Sequence, residues 1–314
     1  MSERVVAAPQ RADLEAAAAV VAAHLVPTPL VPAPALGPGV HLKLETLQPT
    51  GSFKVRGALA ALARSDGGPV VTASAGNAGL GVAWAASVLG VQATVVVAET
   101  ASPAKVAALR ALPVELIQHG ADYDEAEAHA LSLEGAAYVS SYNDTGVIAG
   151  QSTIGRELDT QIPGAVTVAA PLGGGSLASG LGLWASGRAG ARVIGVEAER
   201  SVAMSTALSA GRITPVEVGD TLADGLAGNL EPGAVTFELV RDHLTAVVQA
   251  SEAELEDAIR FLARAHGIVA EGAGATAVAA ALTGRLPRGD EPLVVVVTGR
   301  NIALPRLAAV LAEA

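Results

Sequence analysis

Thr50-Gly51-Ser52-Phe53-Lys54-Val55-Arg56-Gly57-Ala58 is the stretch on which the reading of this chain turns. It follows an alternating run, His41 to Glu45, whose period of two predicts a short strand. It leads into an Ala-rich run, Ala58 to Arg64, whose spacing predicts a helix. Lys54 therefore stands where a loop becomes the first turn of a helix. The chain has three lysines, Lys43, Lys54 and Lys105, and its other basic residues are all arginine. Arginine is thus the default wherever positive charge alone is wanted. A lysine kept between Ser52-Phe53 and Arg56-Gly57 points to a need for an amine, which can be neutral, act as a nucleophile and form a Schiff base, as a guanidinium cannot. Taken alone, Lys54 reads first as a solvated lysine at a helix start, and its neighbours change the weighing.

On both sides of this stretch, strand-like and helical runs alternate. A helix is expected over 12–25, then strand 41–45 and the Lys54 helix. Strand 69–73, helix 76–89, strand 93–98, helix 103–112, strand 114–118, helix 122–133 and strand 137–140 follow. Helix 146–158, strand 166–171, helix 177–187 and strand 192–197 come next. Residues 201–238 read as irregular and Gly/Pro-rich, and order returns with strand 246–248, helices 252–266 and 274–282, strand 293–297 and a last helix from Ile302. Strands apolar on both faces, alternating with helices, predict an α/β protein with parallel sheets covered by helices.

Composition agrees and narrows the function classes. A chain of 314 residues with 51% hydrophobic residues and 35 glycines can bury a large core and suggests two domains or one large one. Its net charge of −11 offers no basic stripe for nucleic acid or an anionic membrane. The absence of cysteine excludes disulfides, thiolate nucleophiles and Cys-ligated zinc. The N-terminus lacks a signal-like apolar run, and no uncharged apolar run reaches the length of a membrane span. A soluble, cytoplasmic protein is expected. His24, His41, His119, His129, His243 and His266 have no metal-site spacing, and Trp84 and Trp184 read as core.

Three further segments stand at predicted strand ends. Pro171-Leu172-Gly173-Gly174-Gly175-Ser176-Leu177 reads equally as a phosphate cradle or as a tight strand–helix turn; it matches neither the P-loop nor the G-x-G-x-x-G fingerprint. Ser74-Ala75-Gly76-Asn77 opens a helix and reads as a carboxylate site or, taken singly, as an ordinary N-cap. Thr298-Gly299-Arg300-Asn301 ends the last strand, where ligands of open parallel sheets gather, or is simply a turn.

Together, a lysine, two anion cradles and a hydroxyl at a strand end are the parts needed to hold pyridoxal 5'-phosphate. With them the chain resembles the fold-type-II pyridoxal-phosphate enzymes of the serine/threonine dehydratase (threonine ammonia-lyase) and serine racemase family. The resemblance runs nearly end to end, through Thr28-Pro29-Leu30, Leu42-Lys43-Leu44-Glu45, Gln48-Pro49-Thr50-Gly51-Ser52-Phe53-Lys54, Ser74-Ala75-Gly76-Asn77, Ile148-Ala149-Gly150-Gln151, Gly173-Gly174-Gly175, Thr221-Leu222-Ala223-Asp224-Gly225 and Glu271-Gly272-Ala273-Gly274. The Lys54 motif with its Gln-Pro-Thr-Gly lead is the most specific of these.

The resemblance implies a tryptophan-synthase-β-like fold, with a large cofactor-binding domain over 1–65 and 147–314 and a small, mobile domain over 66–146. Lys54 would be joined to the cofactor, Phe53 would flank its ring, and the backbone of Gly173, Gly174, Gly175, Ser176 and Leu177 would hold its phosphate. Asn77 would face the ring hydroxyl, and Ser74, Ala75, Gly76, Asn77 and Ala78 would hold the substrate carboxylate. Thr298 would meet the ring nitrogen where the family usually has serine. The implied reaction is β-elimination from L-threonine, L-serine or a derivative: the Lys54 amine removes the Cα proton, the β-hydroxyl leaves, and a 2-oxo acid and ammonia result. A homodimer with an amino-acid substrate, and no nucleic-acid or membrane partner, is implied as well.

Several positions depart from the family pattern. Ala78-Gly79-Leu80 replaces the dehydratases' His-Ala-Gln and removes polar groups beside the substrate. Ser176 replaces a fourth glycine, a change that keeps the N–H. Arg300 replaces another glycine and reads as a partner for a second carboxylate or phosphate, or as a solvated arginine. Ala75 stands where racemising relatives carry the serine that donates the second proton. Glu197 is followed at six residues by Ala203, where relatives with a divalent-cation site have aspartate, so no metal site is expected. Racemisation and a catalytically idle cofactor-binding protein are the competing readings. A β-replacing synthase fits less well, because those relatives carry Ser-x-Lys-Asp-Arg where this chain has Ser52-Phe53-Lys54-Val55-Arg56.

Overall fold

Alternation of Val-rich strands with Ala-rich helices produces two helix-covered sheets in the computed structural model, which describes residues 4–65 and 67–312. After helix α1 (Arg11–His24), the chain forms β1 (Leu30–Pro32), β2 (Val40–Leu44) and α2 (Lys54–Ala63). A four-stranded sheet follows, built from β3 (Val70–Ala73), β4 (Ala93–Val97), β5 (Glu115–Gln118) and β6 (Ala137–Tyr138). Helices α3 (Asn77–Leu89), α4 (Pro103–Arg110) and α5 (Tyr123–Ser132) connect them. Helices α6 (Thr145–Gln151) and α7 (Thr153–Gln161) return the chain to β7 (Val166–Pro171), α8 (Ser176–Ser186), β8 (Ala191–Ala198) and α9 (Ala203–Ala210). The chain ends with α10 (Val235–His243), β9 (Ala246–Ala250), α11 (Glu252–His266), α12 (Gly272–Leu282), β10 (Leu293–Val297) and α13 (Leu304–Ala312).

The four-stranded sheet runs β5-β4-β3-β6 with every pair parallel. The six-stranded sheet runs β1-β2-β10-β7-β8-β9, parallel except for the β1–β2 edge. Central strands β7 and β10 are buried along their whole length, as two covered faces require. Site-bearing segments leave the C-terminal ends of β3, β6, β7 and β10, the rim of a parallel sheet where helix N-termini and loops meet.

The structure corrects several expectations. Strand β1 was not anticipated; as an antiparallel three-residue edge it has no alternation to detect. The single helix expected over 146–158 is two, turned at Ser152, whose N–H bonds to Ala149 three residues back. Within the span read as irregular lie α9 and the start of α10, short helices set off by Gly and Pro. The expected boundary of the small domain at residue 66 lies outside the described residues, as do residues 1–3 and 313–314.

One buried charge network fixes α2, the helix that begins at Lys54. Arg56, fully buried, donates through Nε and Nη2 to both oxygens of buried Glu45 at 2.8 and 2.9 Å, and through Nη1 to Glu157 at 2.6 Å and Thr153 at 3.2 Å. Lys43, also fully buried, donates to the same Glu157 at 2.5 Å, to the Thr28 carbonyl and to Gln161. Burial pushes the Glu45 carboxyl upward, but the paired Arg56 guanidinium outweighs it and holds the group below its ordinary range.

Candidate active site

Lys54 is the first residue of α2, delivered by the turn after β2 and held from both sides. Ser52 bridges to Gly299, and the Phe53 N–H donates to the Thr298 carbonyl at 3.0 Å, so the Lys54 turn is stitched to the end of β10. The Lys54 Nζ donates to the Ser141 carbonyl at 2.8 Å and lies 5.2 Å from the centre of the Phe53 ring. Burial lowers the amine from 10.5 to about 8, and the Glu271 carboxylate works in the opposite sense. An amine in that range is a usable base near neutral pH.

The loop after β7 presents its backbone because side chains are excluded from it. A Cβ on Gly174 would collide with the Tyr142 ring; one on Gly173 would lie 2.8 Å from the Leu226 backbone; and Gly175 has φ +93°. No turn or loop carbonyl among the described residues accepts an N–H from residues 173–177. These groups sit at the N-terminus of the 11-residue helix α8, where the dipole favours an anion. Beside Gly175, the hydroxyl of Thr236 is buried without a partner, and so is that of Ser52 near Lys54.

Ser74, Ala75 and Gly76 connect β3 to α3, with the Ser74 hydroxyl accepting the Gly76 N–H at 3.2 Å. A Cβ at Gly79 would strike the Ser74 carbonyl oxygen, which ties this first turn closely to the loop. Asn77 is gripped at both ends of its amide. Its Nδ2 donates to Glu271 Oε1 at 2.6 Å, and its Oδ1 accepts from Asn301 Nδ2 at 2.6 Å. Thr298 is buried, with its Oγ1 3.5 Å from the Ala273 carbonyl. Ala78 lines a small cleft together with Lys54, Ala58, Thr72, Val139 and Ser141.

The segments singled out from the sequence thus gather around one cleft: Lys54 with Thr298 through the stitched turn, Gly174 with Lys54 through Tyr142 and Ser141, and Asn77 with Lys54 through Glu271. Four neighbours were missed. Ser141 and Tyr142 follow β6 in a stretch without periodicity. Asn301 was quoted only as part of a turn. Glu271 was quoted as part of a motif and given no role. Burial pushes the Glu271 carboxyl up to about 7, against the Asn77 hydrogen bond.

Two departures acquire a local explanation. Arg300 is exposed and its guanidinium donates to the Thr46 carbonyl, so it pins a turn. Glu197 accepts the N–H groups of Met204 at 2.9 Å and Ser205 at 3.2 Å, capping α9. Among the described residues no cluster of His, Asp or Glu has the makings of a metal site, and no helix is long and apolar enough to cross a membrane.

A buried amine on a helix start, an N–H cradle limited to glycine and unpartnered hydroxyls beside both fit a phosphate-bearing aldehyde held at the junction of two parallel sheets. That combination defines a cofactor-dependent enzyme class. Residues 21–299 match the family described as pyridoxal-phosphate dependent enzyme, and the chain belongs to it. It is 42% identical over 276 residues to the L-threonine ammonia-lyase of Thermotoga maritima, covering 85% of this chain and 68% of that protein. The structure of maize serine racemase superposes with a TM-score of 0.89 at 27% identity, covering 98% of both chains. Threonine deaminase isoform 2 from Solanum lycopersicum, in its processed form, does so with a TM-score of 0.87 at 29% identity, covering 99% of this chain and 90% of that one. The fold is fold type II, and the cofactor is pyridoxal phosphate.

Proposed function

We propose that the chain catalyses β-elimination from a small hydroxy-amino acid such as L-threonine, L-serine or a derivative, releasing a 2-oxo acid and ammonia. The observation that carries this reading is the buried Lys54 amine, lowered to about 8 and held beside a glycine-limited anion cradle. The names of the relatives, L-threonine ammonia-lyase and threonine deaminase, support the same reaction class.

Pyridoxal phosphate, when bound, supplies the electron sink that makes an amino acid's Cα proton acidic. Gly173, Gly174, Gly175, Ser176 and Leu177 would hold its phosphate through their N–H groups, Phe53 would flank its ring, Asn77 would face its hydroxyl and Thr298 its nitrogen. The segment from Ser74 through Ala78, which leads into α3, would bind the substrate carboxylate with the N–H groups of Ala75, Asn77 and Ala78, those of Ser74 and Gly76 being donated to Val96 and the Ser74 hydroxyl, and with the helix dipole. Lys54 Nζ would take the Cα proton, and the electron pair left at Cα would form the Cα=Cβ bond as the Cβ–O bond breaks. The proton held on Lys54 would make the leaving hydroxide water, and water would then hydrolyse the released enamine to the 2-oxo acid and ammonia. Ala75 carries only a methyl group and offers no proton to the opposite face of Cα, so elimination is favoured over racemisation. With Ala78 in place of histidine, Ala58, Ala78, Val82, Val139 and Val147 line the cleft beside Lys54 together with Thr72, Ser140 and Ser141, and the methyl group at Ala78 extends the candidate substrates to hydroxy-amino acids with apolar substituents.

On the same reading the small domain of 66–146 closes over the substrate, and the protein works as a cytoplasmic homodimer. The test is a panel of L-hydroxy-amino acids with 2-oxo acid and ammonia detection, alongside the visible absorbance of the bound cofactor. Keto-acid release from at least one substrate, lost together with the absorbance band in Lys54→Ala, is the expected result. Conversion of L- to D-substrate without keto acid would transfer the reading to a racemase, and a band with no turnover on any substrate would transfer it to an idle binder.

A further inference from the structure

Glu271 lies at the N-cap of α12 and makes no side-chain hydrogen bond to that helix. Its carboxylate instead reaches across the cleft to Asn77, 194 residues away in sequence, at 2.6 Å. Gly299 makes room for it, since a Cβ there would collide with Oε1. The Asn301 backbone N–H also reaches this carboxylate, while the Asn301 side chain takes the other end of the Asn77 amide. An amide claimed at both ends cannot rotate, and one Nδ2 hydrogen remains free to serve a ligand.

We propose that Glu271 is a positioning residue of the site, which sets the orientation of Asn77 toward the cofactor ring by holding its amide across the cleft. The inference rests on the functional reading above and extends it to a residue that reading leaves without a role. An ordinary helix cap would bond its own first turn and stay solvated; Glu271 does neither, being 7% exposed. The charged groups that face it are Lys54 from α2, Asp224 from the turn 224–226 and Lys105 from α4, and Lys105 and Asp224 themselves pair at 3.1 Å. Asn77 and Lys105 stand on helices of the four-stranded sheet, whereas Glu271, Asn301 and Asp224 belong to the other layer. The grip on Asn77 is therefore also a tie between the layers.

The test compares the holoenzymes of wild type, Glu271→Gln, Glu271→Ala, Asn77→Ala and the double variant Glu271→Ala/Asn77→Ala. Cofactor dissociation is followed by equilibrium dialysis, and the visible band by absorbance across pH. Glu271→Ala is expected to weaken cofactor binding about tenfold or more, as loss of a charge-assisted hydrogen bond does. Glu271→Gln, which keeps an acceptor for Asn77, should recover most of that loss while removing the spectral transition expected near pH 7 in wild type. In the Asn77→Ala background, Glu271→Ala should add nothing further. Additive losses from the two positions, or a Glu271→Gln spectrum that titrates as wild type does, would overturn the inference even if Glu271→Ala proved too unstable to purify. A wild-type protein that bound no cofactor would overturn the functional reading itself, whereas wild-type binding with indifferent Glu271 variants overturns this inference alone.

Discussion

Replacing Arg56 with methionine would test whether the buried charge network is what holds the Lys54 helix in place. The substitution nearly conserves volume but removes both hydrogen bonds to Glu45 and those to Glu157 and Thr153. Glu157 is 13% exposed and keeps Lys43, so it remains paired. Glu45 is fully buried and would keep only Thr28 at 2.6 Å and Gln48 at 3.1 Å. Stranding one partner of a buried ion pair costs about 3–5 kcal/mol, most of it the uncompensated charge. Urea unfolding of the cofactor-free protein, followed by far-ultraviolet circular dichroism, should show a loss of that order at pH 7. The loss should shrink as pH falls toward the ordinary carboxylate range. In wild type the Glu45 carboxyl is held low, so its contribution persists until the pH drops below that range; in the variant it is raised, and protonation relieves the penalty. The double variant Arg56→Met/Glu45→Leu should recover most of the stability, since a buried pair can be exchanged for apolar groups at little cost. A single variant that loses less than about 1 kcal/mol, or a double variant no more stable than the single one, would refute the reasoning.

Gly174→Ala should weaken cofactor binding and cost roughly 1–3 kcal/mol of stability, because its Cβ would meet the Tyr142 ring; in the Tyr142→Ala background, which removes that ring, Gly174→Ala should cost much less, as measured by thermal melts. Lys54→Met should stabilise the cofactor-free protein at pH 7 by about 1–3 kcal/mol. The amine titrates near 8 when folded and near 10.5 when unfolded, so its penalty is complete below pH 8 and fades as pH rises toward 10.5; a denaturant series at pH 7 and pH 10 measures this. Lys105→Ala removes an ion pair whose partners are 45% and 66% exposed, so its effect on stability should stay below about 1 kcal/mol and vanish in high salt.

Much of this site could be read locally. Lys54 stood out because lysine is rare in the chain and because the residues before and after it changed period from two to that of a helix. The glycine run and the Ser74–Asn77 turn were visible for the same reason, as breaks at the ends of apolar strands. Glu271 was not legible as a participant: it is one of 31 acidic residues, and nothing near it in the chain announces Asn77. Nothing in the sequence marked Arg56 for burial, which follows from Glu45 and Glu157 arriving from the turn after β2 and from α7. Helices α9 and α10 were hidden because short helices between Gly and Pro residues have too few turns to establish a period.

By itself, the sequence determined most of the succession of strands and helices and the lysine and glycine turns that mark a cofactor site, because each depends on residues within a few positions of one another. The parallel sense of the sheets followed from the alternation of strand with helix, while the antiparallel edge strand β1 did not. Only the tertiary structure decided which charges are buried together, that Asn77 is held from the opposite side of the cleft, and that Lys54 loses enough solvent to become a base near neutral pH. Desolvation and pairing are set by groups that come from separate strand ends, and the chain places them side by side only when both sheets have formed.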